Sequence, residues 1–199
     1  MKQVLCSVFV WMLAAVCAGA QTFPALHDVA VSAGSSLNIR AQPTVASARV
    51  GTLAHGQTGI EVTAADPSGN WGRINHQGMA AWASLAYLQA QPAPTTPPGD
   101  RLTCAGTEPF WALVIAQGQS AVLKRPGEAD LPLAAATAQP ASNRFEPFLV
   151  DLGASHAAIL HRETCSDGMS DQLFGLSALL LDLAAGGKTL FTGCCSVTP

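Results

Sequence analysis

Two cysteines stand side by side at positions 194 and 195, and two more lie far upstream at 104 and 165. Adjacent cysteines cannot bridge each other without distorting the peptide between them, because a disulfide wants its Cα atoms roughly 5.5–6 Å apart. If all four are oxidised, Cys194 and Cys195 must each reach back to Cys104 or Cys165. Successive side chains on a β-strand point to opposite faces. With the pair on a strand, one bridge is expected to line the interior and the other the outside. Which partner each takes stays open. Zinc is the rival use of four cysteines, but the C-x-x-C pairs of such sites are missing.

Oxidation requires an oxidising compartment, and the N-terminus points to one. Lys2 precedes an apolar run from Val4 to Val16, and Ala18-Gly19-Ala20 follows as a small-x-small cleavage site. Residues 1–20 therefore read as a secretory signal peptide cut before Gln21. The run is too short to anchor the chain across a bilayer. The expected location is periplasmic or secreted, where disulfides persist. An alternative is a lipoprotein anchored through Cys17, although the preceding Val16 is β-branched where such a signal wants a small residue.

Residues 89 to 100 read Gln-Ala-Gln-Pro-Ala-Pro-Thr-Thr-Pro-Pro-Gly-Asp. Four prolines in a short polar run cannot continue a helix or pair in a sheet, so this is a semi-rigid linker over residues 90–100. It separates a domain at 25–89 from one at 101–199. The charges divide unevenly: residues 21 to 99 balance, while residues 100 to 199 carry 6 basic and 10 acidic groups. With no basic run anywhere, nucleic acid is not an expected partner. No second apolar stretch is long enough to span a membrane.

The first domain reads as five short strands with turns between them. Ser36 to Arg40 and Gly59 to Thr63 alternate, Val50 to Leu53 lies between, and Trp71 to Ile74 and Ala81 to Ala83 follow. Asp66-Pro67-Ser68-Gly69-Asn70 is a strong turn cluster and His76-Gln77-Gly78 a tight turn. At least one of Trp71 and Trp82 is expected to fill the barrel core, since each buries a large area.

Leu37-Asn38-Ile39-Arg40 with Pro43, Gly51-x-Leu53-x-x-Gly56, Trp71-Gly72-Arg73-Ile74, Trp82 and Tyr87-Leu88 together make this segment resemble a bacterial SH3-like (SH3b) domain. Ala81-Trp82-Ala83 stands where that family usually has Gly-Trp-Val. The resemblance implies a small barrel facing the envelope, in proteins that often act on or bind peptidoglycan. Arg73, Trp82 and Tyr87 are the candidate ligand-binding residues. With so few aromatics the domain lacks the groove that PxxP recognition needs.

In the second domain, strands are expected at Trp111–Ile115, Ser120–Leu123, Phe148–Leu152 and Ala157–Glu163, with a loop over residues 126 to 142. Residues 174 to 183 suit helix or strand, and the Gly186-Gly187 turn before Thr189-Leu190-Phe191 argues for a hairpin. The expected fold class is all-β: a small SH3-like barrel joined by a Pro-rich linker to a disulfide-stabilised, β-barrel-like domain.

Cys104-x-Gly106-x-Glu108-Pro109-Phe110-Trp111, Cys165-Ser166-Asp167-Gly168-Met169-Ser170-Asp171 and Gly193-Cys194-Cys195 resemble the motifs of a family of bacterial secreted proteins and lipoproteins. The resemblance implies architecture and envelope location but no particular activity. Phe174-Gly175 stands where that family commonly has Tyr-Pro.

The roles of Glu108, Trp111, Asp167 and Asp171 are open at this point. Asp167 and Asp171 with Ser166 and Ser170 offer oxygens to Ca²⁺, but the spacing is not an EF-hand's, and a tight turn explains them more simply. No metal site and no cofactor is expected. Glu108 reads either as a general acid or as a carboxylate bonded to backbone N–H groups. Cys104 with His156 or His161 would suit a Cys–His hydrolase only if the thiol were free. His161 and Glu163 share a strand face with Cys165 and read as a hydrogen-bonded surface pair.

No complete catalytic set emerges. The expected function is a non-enzymatic envelope binding or scaffold protein whose SH3b domain contacts peptidoglycan or an envelope protein. The alternatives are an inhibitor of a wall-degrading hydrolase and, behind it, a wall hydrolase using Glu108, Asp167 or Asp171.

Overall fold

A computed structural model of the chain describes residues 22–184 and 187–199. Residues 1–20, read above as a signal peptide and containing Cys17, lie outside the described residues. The described chain is all-β, with a 3-10 turn at Leu85–Tyr87.

The first lobe holds eight strands: β1 (Ala25–Val29), β2 (Ser36–Arg40), β3 (Arg49–Ala54), β4 (Ile60–Val62), β5 (Ala64–Ala65), β6 (Trp71–His76), β7 (Met79–Ser84) and β8 (Leu88–Ala90). They form a three-stranded sheet, β4-β1-β8, and a five-stranded sheet, β3-β2-β7-β6-β5. Both expected turns are present. Asp66 Oδ1 accepts the Asn70 and Trp71 N–H groups at 2.9 and 2.8 Å. The β6–β7 hairpin turns through Gln77 and Gly78, both at positive φ.

The core of this lobe corrects one expectation. It is built from small and aliphatic residues, among them Ile39, Leu53, Val62, Ile74, Ala81 and Ala83, and neither tryptophan is in it. Trp71 and Trp82 are half-buried. Strand alternation turns Gly72, Ile74, Ala81 and Ala83 inward, so Trp71 and Trp82 face out. The two sheets also come too close for an indole: a Cβ on Gly72 would already stand 2.8 Å from Val62 and 2.9 Å from Leu85.

The second lobe is one nine-stranded antiparallel sheet curled into a half-barrel. Its strands are β9 (Arg101–Thr107), β10 (Phe110–Ala116), β11 (Ser120–Lys124), β12 (Leu131–Ala134), β13 (Gln139–Pro140), β14 (Phe148–Asp151), β15 (His156–Cys165), β16 (Phe174–Asp182) and β17 (Thr189–Val197). The spatial order is β12-β11-β10-β9-β17-β16-β15-β14-β13. One meander runs outward from β9, a second runs inward from β13, and pairing of β17 with β9 joins them. Leu102, Leu113, Ile115, Leu160, Leu176 and Leu180 are fully buried on the inner face. The hairpin expected from the Gly186-Gly187 turn is the β16–β17 pair.

The stretch read as a loop over 126–142 contains β12 and β13. Both carry a proline, Pro132 and Pro140, and both are edge strands. A proline has no N–H to give a further neighbour, so it is tolerated only at an edge.

The proline-rich segment is fastened rather than free. β8 extends to Ala90, which pairs with His27. The buried Gln117 side chain donates to the Pro97 and Gly99 carbonyls at 3.2 and 2.6 Å. The Asp100 carboxylate accepts the Thr95 and Thr96 N–H groups at 3.1 and 2.7 Å.

The two lobes touch. Asn75 clamps the backbone of Leu173, donating to its carbonyl at 3.2 Å and accepting its N–H at 3.0 Å. The Ala80 N–H donates to the Asp171 carbonyl at 2.8 Å. Arg73 donates to Thr164 at 3.1 Å, and the Val197 N–H donates to Glu61 at 2.7 Å. Pro24 packs on Gly175, where a Cβ would stand 2.8 Å from it. Glycine after Phe174 therefore makes room for the first lobe.

Candidate functional site

The two bridges are Cys104–Cys195 and Cys165–Cys194. Cys104 and Cys195 are directly opposed on β9 and β17, on the buried face. Cys194 faces the other way, in a row with Ala105 and Ser177, and meets Cys165 there. One bridge is thus inside and one outside, as strand alternation requires. With all four sulfurs bonded, Cys104 has no thiol to serve as a nucleophile.

The outer bridge lies in a groove of about 540 Å³ across β9, β15, β16 and β17. All three cysteine motifs contribute to its lining: Gly106 and Thr107 from the first, Cys165 to Asp167 from the second, and Gly193 from the third. The Thr107 hydroxyl donates to the Asp167 carbonyl at 3.1 Å and ties the first motif to the second.

The groove rim is polar. The Ser177 hydroxyl donates to Glu163, and His161 sits between two carboxylates, 3.6 Å from Glu163 and 3.7 Å from Glu146. The Ser177 bond, followed by the nearby His161, holds the Glu163 carboxyl below its usual range. The His161–Glu163 pairing follows from strand alternation. Ser177 is brought to it only by the β15–β16 register, in which it opposes His161.

Asp167 builds a turn. Its Oδ1 accepts the Met169 and Ser170 N–H groups at 2.9 and 2.8 Å, and its Oδ2 accepts the Ser170 hydroxyl at 2.8 Å. Those backbone donors, Ser170 first, lower its pKa. Asp171 lies further along the same loop, at the contact with β7. Among the described residues, no group of three His, Cys, Asp or Glu side chains is placed to hold a metal ion.

Glu108 is exposed at the β9–β10 turn. Trp111 is 4 % exposed and lies across the backbones of β9 and β17, with Nε1 donating to the Thr192 carbonyl at 3.3 Å. It fits because Gly106 and Gly193 flank it: a Cβ on either would overlap the indole and a backbone carbonyl oxygen. The spacing Gly106…Trp111 with Gly193 is therefore a packing slot.

The candidate ligand residues of the first lobe are not equivalent. Arg73 is 9 % exposed and donates to Thr63 at 2.9 Å and to Thr164 of the second lobe. Trp82, which opposes Arg73 on β7, is half-buried, and Tyr87 is 51 % exposed.

A row resembling a hydrolase relay occurs at the far end of the β15–β16 ladder. Ser155 Oγ lies 2.9 Å from His156 Nδ1, His156 Nε2 lies 3.4 Å from Asp182, and Arg125 holds Asp182 at 2.5 Å. His156 is only 3 % exposed, so a substrate has no access to its ring. The row ties strand ends together.

Glu61 is the site residue that the sequence hides. Within Ile60-Glu61-Val62 it reads as an ordinary outward strand position, and only the tertiary fold brings Val197 of β17 onto it. Burial pushes its carboxyl up from 4.5 to about 7, against the bonds from Val197 and Ser196 that act to lower it. Between about pH 4.5 and 7 the folded protein therefore holds a proton that the unfolded chain has released. Stability from this group is complete below about pH 4.5 and is lost as pH rises through 7. The loss amounts to about 3 kcal/mol. Urea unfolding at pH 4.5 and pH 8 is expected to show that change in the wild type relative to Glu61→Gln, which accepts the same N–H but does not titrate. A difference that does not vary with pH would refute it.

No protein-family model, curated protein or solved structure matches this chain.

Proposed function

We propose that the protein is an exported, non-enzymatic binding protein of the bacterial envelope, periplasmic or secreted, whose smaller lobe is an SH3b domain that contacts peptidoglycan or an envelope protein. The observation that carries this reading is the composition of the first lobe's core. That core closes on aliphatic residues and leaves Trp71, Trp82 and Tyr87 outside it. Aromatic side chains not needed for packing are what a recognition face uses, since they offer large rigid contact area at low entropic cost. Two disulfides fit an oxidising compartment. Among the described residues, no helix is long and apolar enough to cross a membrane.

Within this reading Arg73 holds the lobes together, and Trp82 and Tyr87 meet the ligand. The folded protein is expected to sediment with purified wall sacculi. Trp82→Ala and Tyr87→Ala should each weaken binding by roughly tenfold, the loss typical of an aromatic anchor. Two parallel assays separate the alternatives. Inhibition of lysozyme or an amidase without sedimentation would make the protein an inhibitor. Clearing of a wall suspension, abolished by Glu108→Gln, would make it a hydrolase.

A further inference from the structure

A cavity of about 260 Å³ lies between the lobes, away from Trp82, Tyr87 and the disulfide groove. Its first-lobe wall carries Glu61 and His76, and its second-lobe wall carries Gln172, Phe174 and Ser196. None of the residues lining it is a lysine or arginine. Among the described residues, no ion pair reaches Glu61, whose bonds across the lobes come from neutral groups, the Val197 N–H and the Ser196 side chain.

Arg73 on β6 turns to Thr63 and Thr164 instead. Asp28, on the neighbouring β1, accepts the Gly59 N–H at 3.2 Å. Pro199 packs on the same Gly59. The titratable group from β6 is His76, whose Nε2 is buried against Gly51 with no hydrogen-bond partner. A carboxylate taken out of water without a cation is costly, and folded proteins normally pair such a group. Among the described residues, no lysine or arginine pairs with Glu61.

We propose that this inter-lobe cavity binds a small organic cation, a primary ammonium on a short apolar stem, with the ammonium on Glu61 and the stem against Ile60 and Phe174. An ammonium has three donors and no acceptor, which complements a carboxylate and the Gln172 and Ser196 oxygens. A metal ion fits less well: Glu61 and His76 are the cavity's only strong ligands, where such sites use three or more. The volume lies below the roughly 300–1,000 Å³ of drug-sized sites, which limits the stem to a few carbons. Because the ligand spans both walls, its binding also fastens the lobes. Binding requires the ionised carboxyl and so strengthens as pH rises through the range in which Glu61 titrates.

The test is calorimetric titration of the full mature chain with 1-aminopentane at pH 8, with 1-pentanol as the neutral control. Saturable one-site binding of the amine alone is expected, weakened roughly tenfold or more at pH 5.5 and by Glu61→Gln, the loss expected for a buried charge-assisted hydrogen bond. Gln172→Trp, which fills the cavity from the opposite wall without touching Glu61, should abolish binding while sedimentation with wall sacculi persists. It also keeps the test decisive if Glu61→Gln fails to fold. Absence of binding, equal binding of the alcohol, unchanged affinity in either folded variant, or Glu61-dependent binding of Ca²⁺ or Zn²⁺ in place of the amine would overturn the proposal.

Discussion

Gly106→Ala is expected to cost about 3 kcal/mol or more, at the upper end of what overpacking a core does. The added Cβ would overlap both the Trp111 indole and the Thr192 carbonyl oxygen. The carbonyl is backbone in a central strand and cannot step aside without breaking the β9–β17 pairing. Gly193→Ala should behave alike, because its Cβ would overlap the Ala105 carbonyl oxygen and stand 2.7 Å from Trp111 Cζ2. The control is Gly187→Ala in the exposed β16–β17 turn, where a Cβ meets nothing within 4 Å. Urea unfolding should place that control within about 0.5 kcal/mol of the wild type. If all three variants fall in that band, the packing slot has been misread.

Loss of the inner bridge, as Cys104→Ala with Cys195→Ala, is expected to destabilise more than loss of the outer one. The Cys104–Cys195 bridge joins residues 91 apart, and Cys165–Cys194 joins residues 29 apart. In the chain-entropy model these loops correspond to about 4.5 and about 3.5 kcal/mol. The inner pair is also buried between β9 and β17, the junction of the two meanders, so its loss is felt where the half-barrel is assembled. Thermal unfolding of both double variants measures the order. An inner-bridge loss of under about 1 kcal/mol, or the reverse order, would contradict it. Peptide mapping without reduction, with fragmentation between Cys194 and Cys195, checks the pairing in the same samples.

The sequence showed its strands wherever alternation met a turn signal, as at Ser36–Arg40 or Trp111–Ile115. It concealed β1, because His27 occupies an inward position where an apolar residue would have marked the pattern. It concealed β12 and β13 because proline counts against a strand unless the strand is known to be an edge. The inside–outside placement of the two bridges followed from Cys194-Cys195 alone, since a period of two allows nothing else on a strand. The choice of partner did not, because it depends on β17 lying beside β9.

The site was less legible than the fold. The cysteine motifs announce themselves, yet Glu108 and Trp111 within one of them part company, one exposed at a turn and one seated in a glycine slot. Glu61, Asn75 and Ser177 carry no local signal. Each matters because of a residue far along the chain that tertiary packing sets against it. At least one of Trp71 and Trp82 is expected in the core by size, and the thin space under Gly72 excludes both.

The account rests most directly on the claim that Trp82 and Tyr87, which lie outside the first lobe's core, recognise an envelope ligand. Titration of purified wall sacculi with the wild type and with the Trp82→Ala, Tyr87→Ala double variant measures it. Neither residue belongs to a core cluster, so the double variant should unfold within a few degrees of the wild type. The account predicts saturable sedimentation of the wild type and its loss in the folded double variant. Equal sedimentation of the two proteins, or none by the folded wild type, would contradict it.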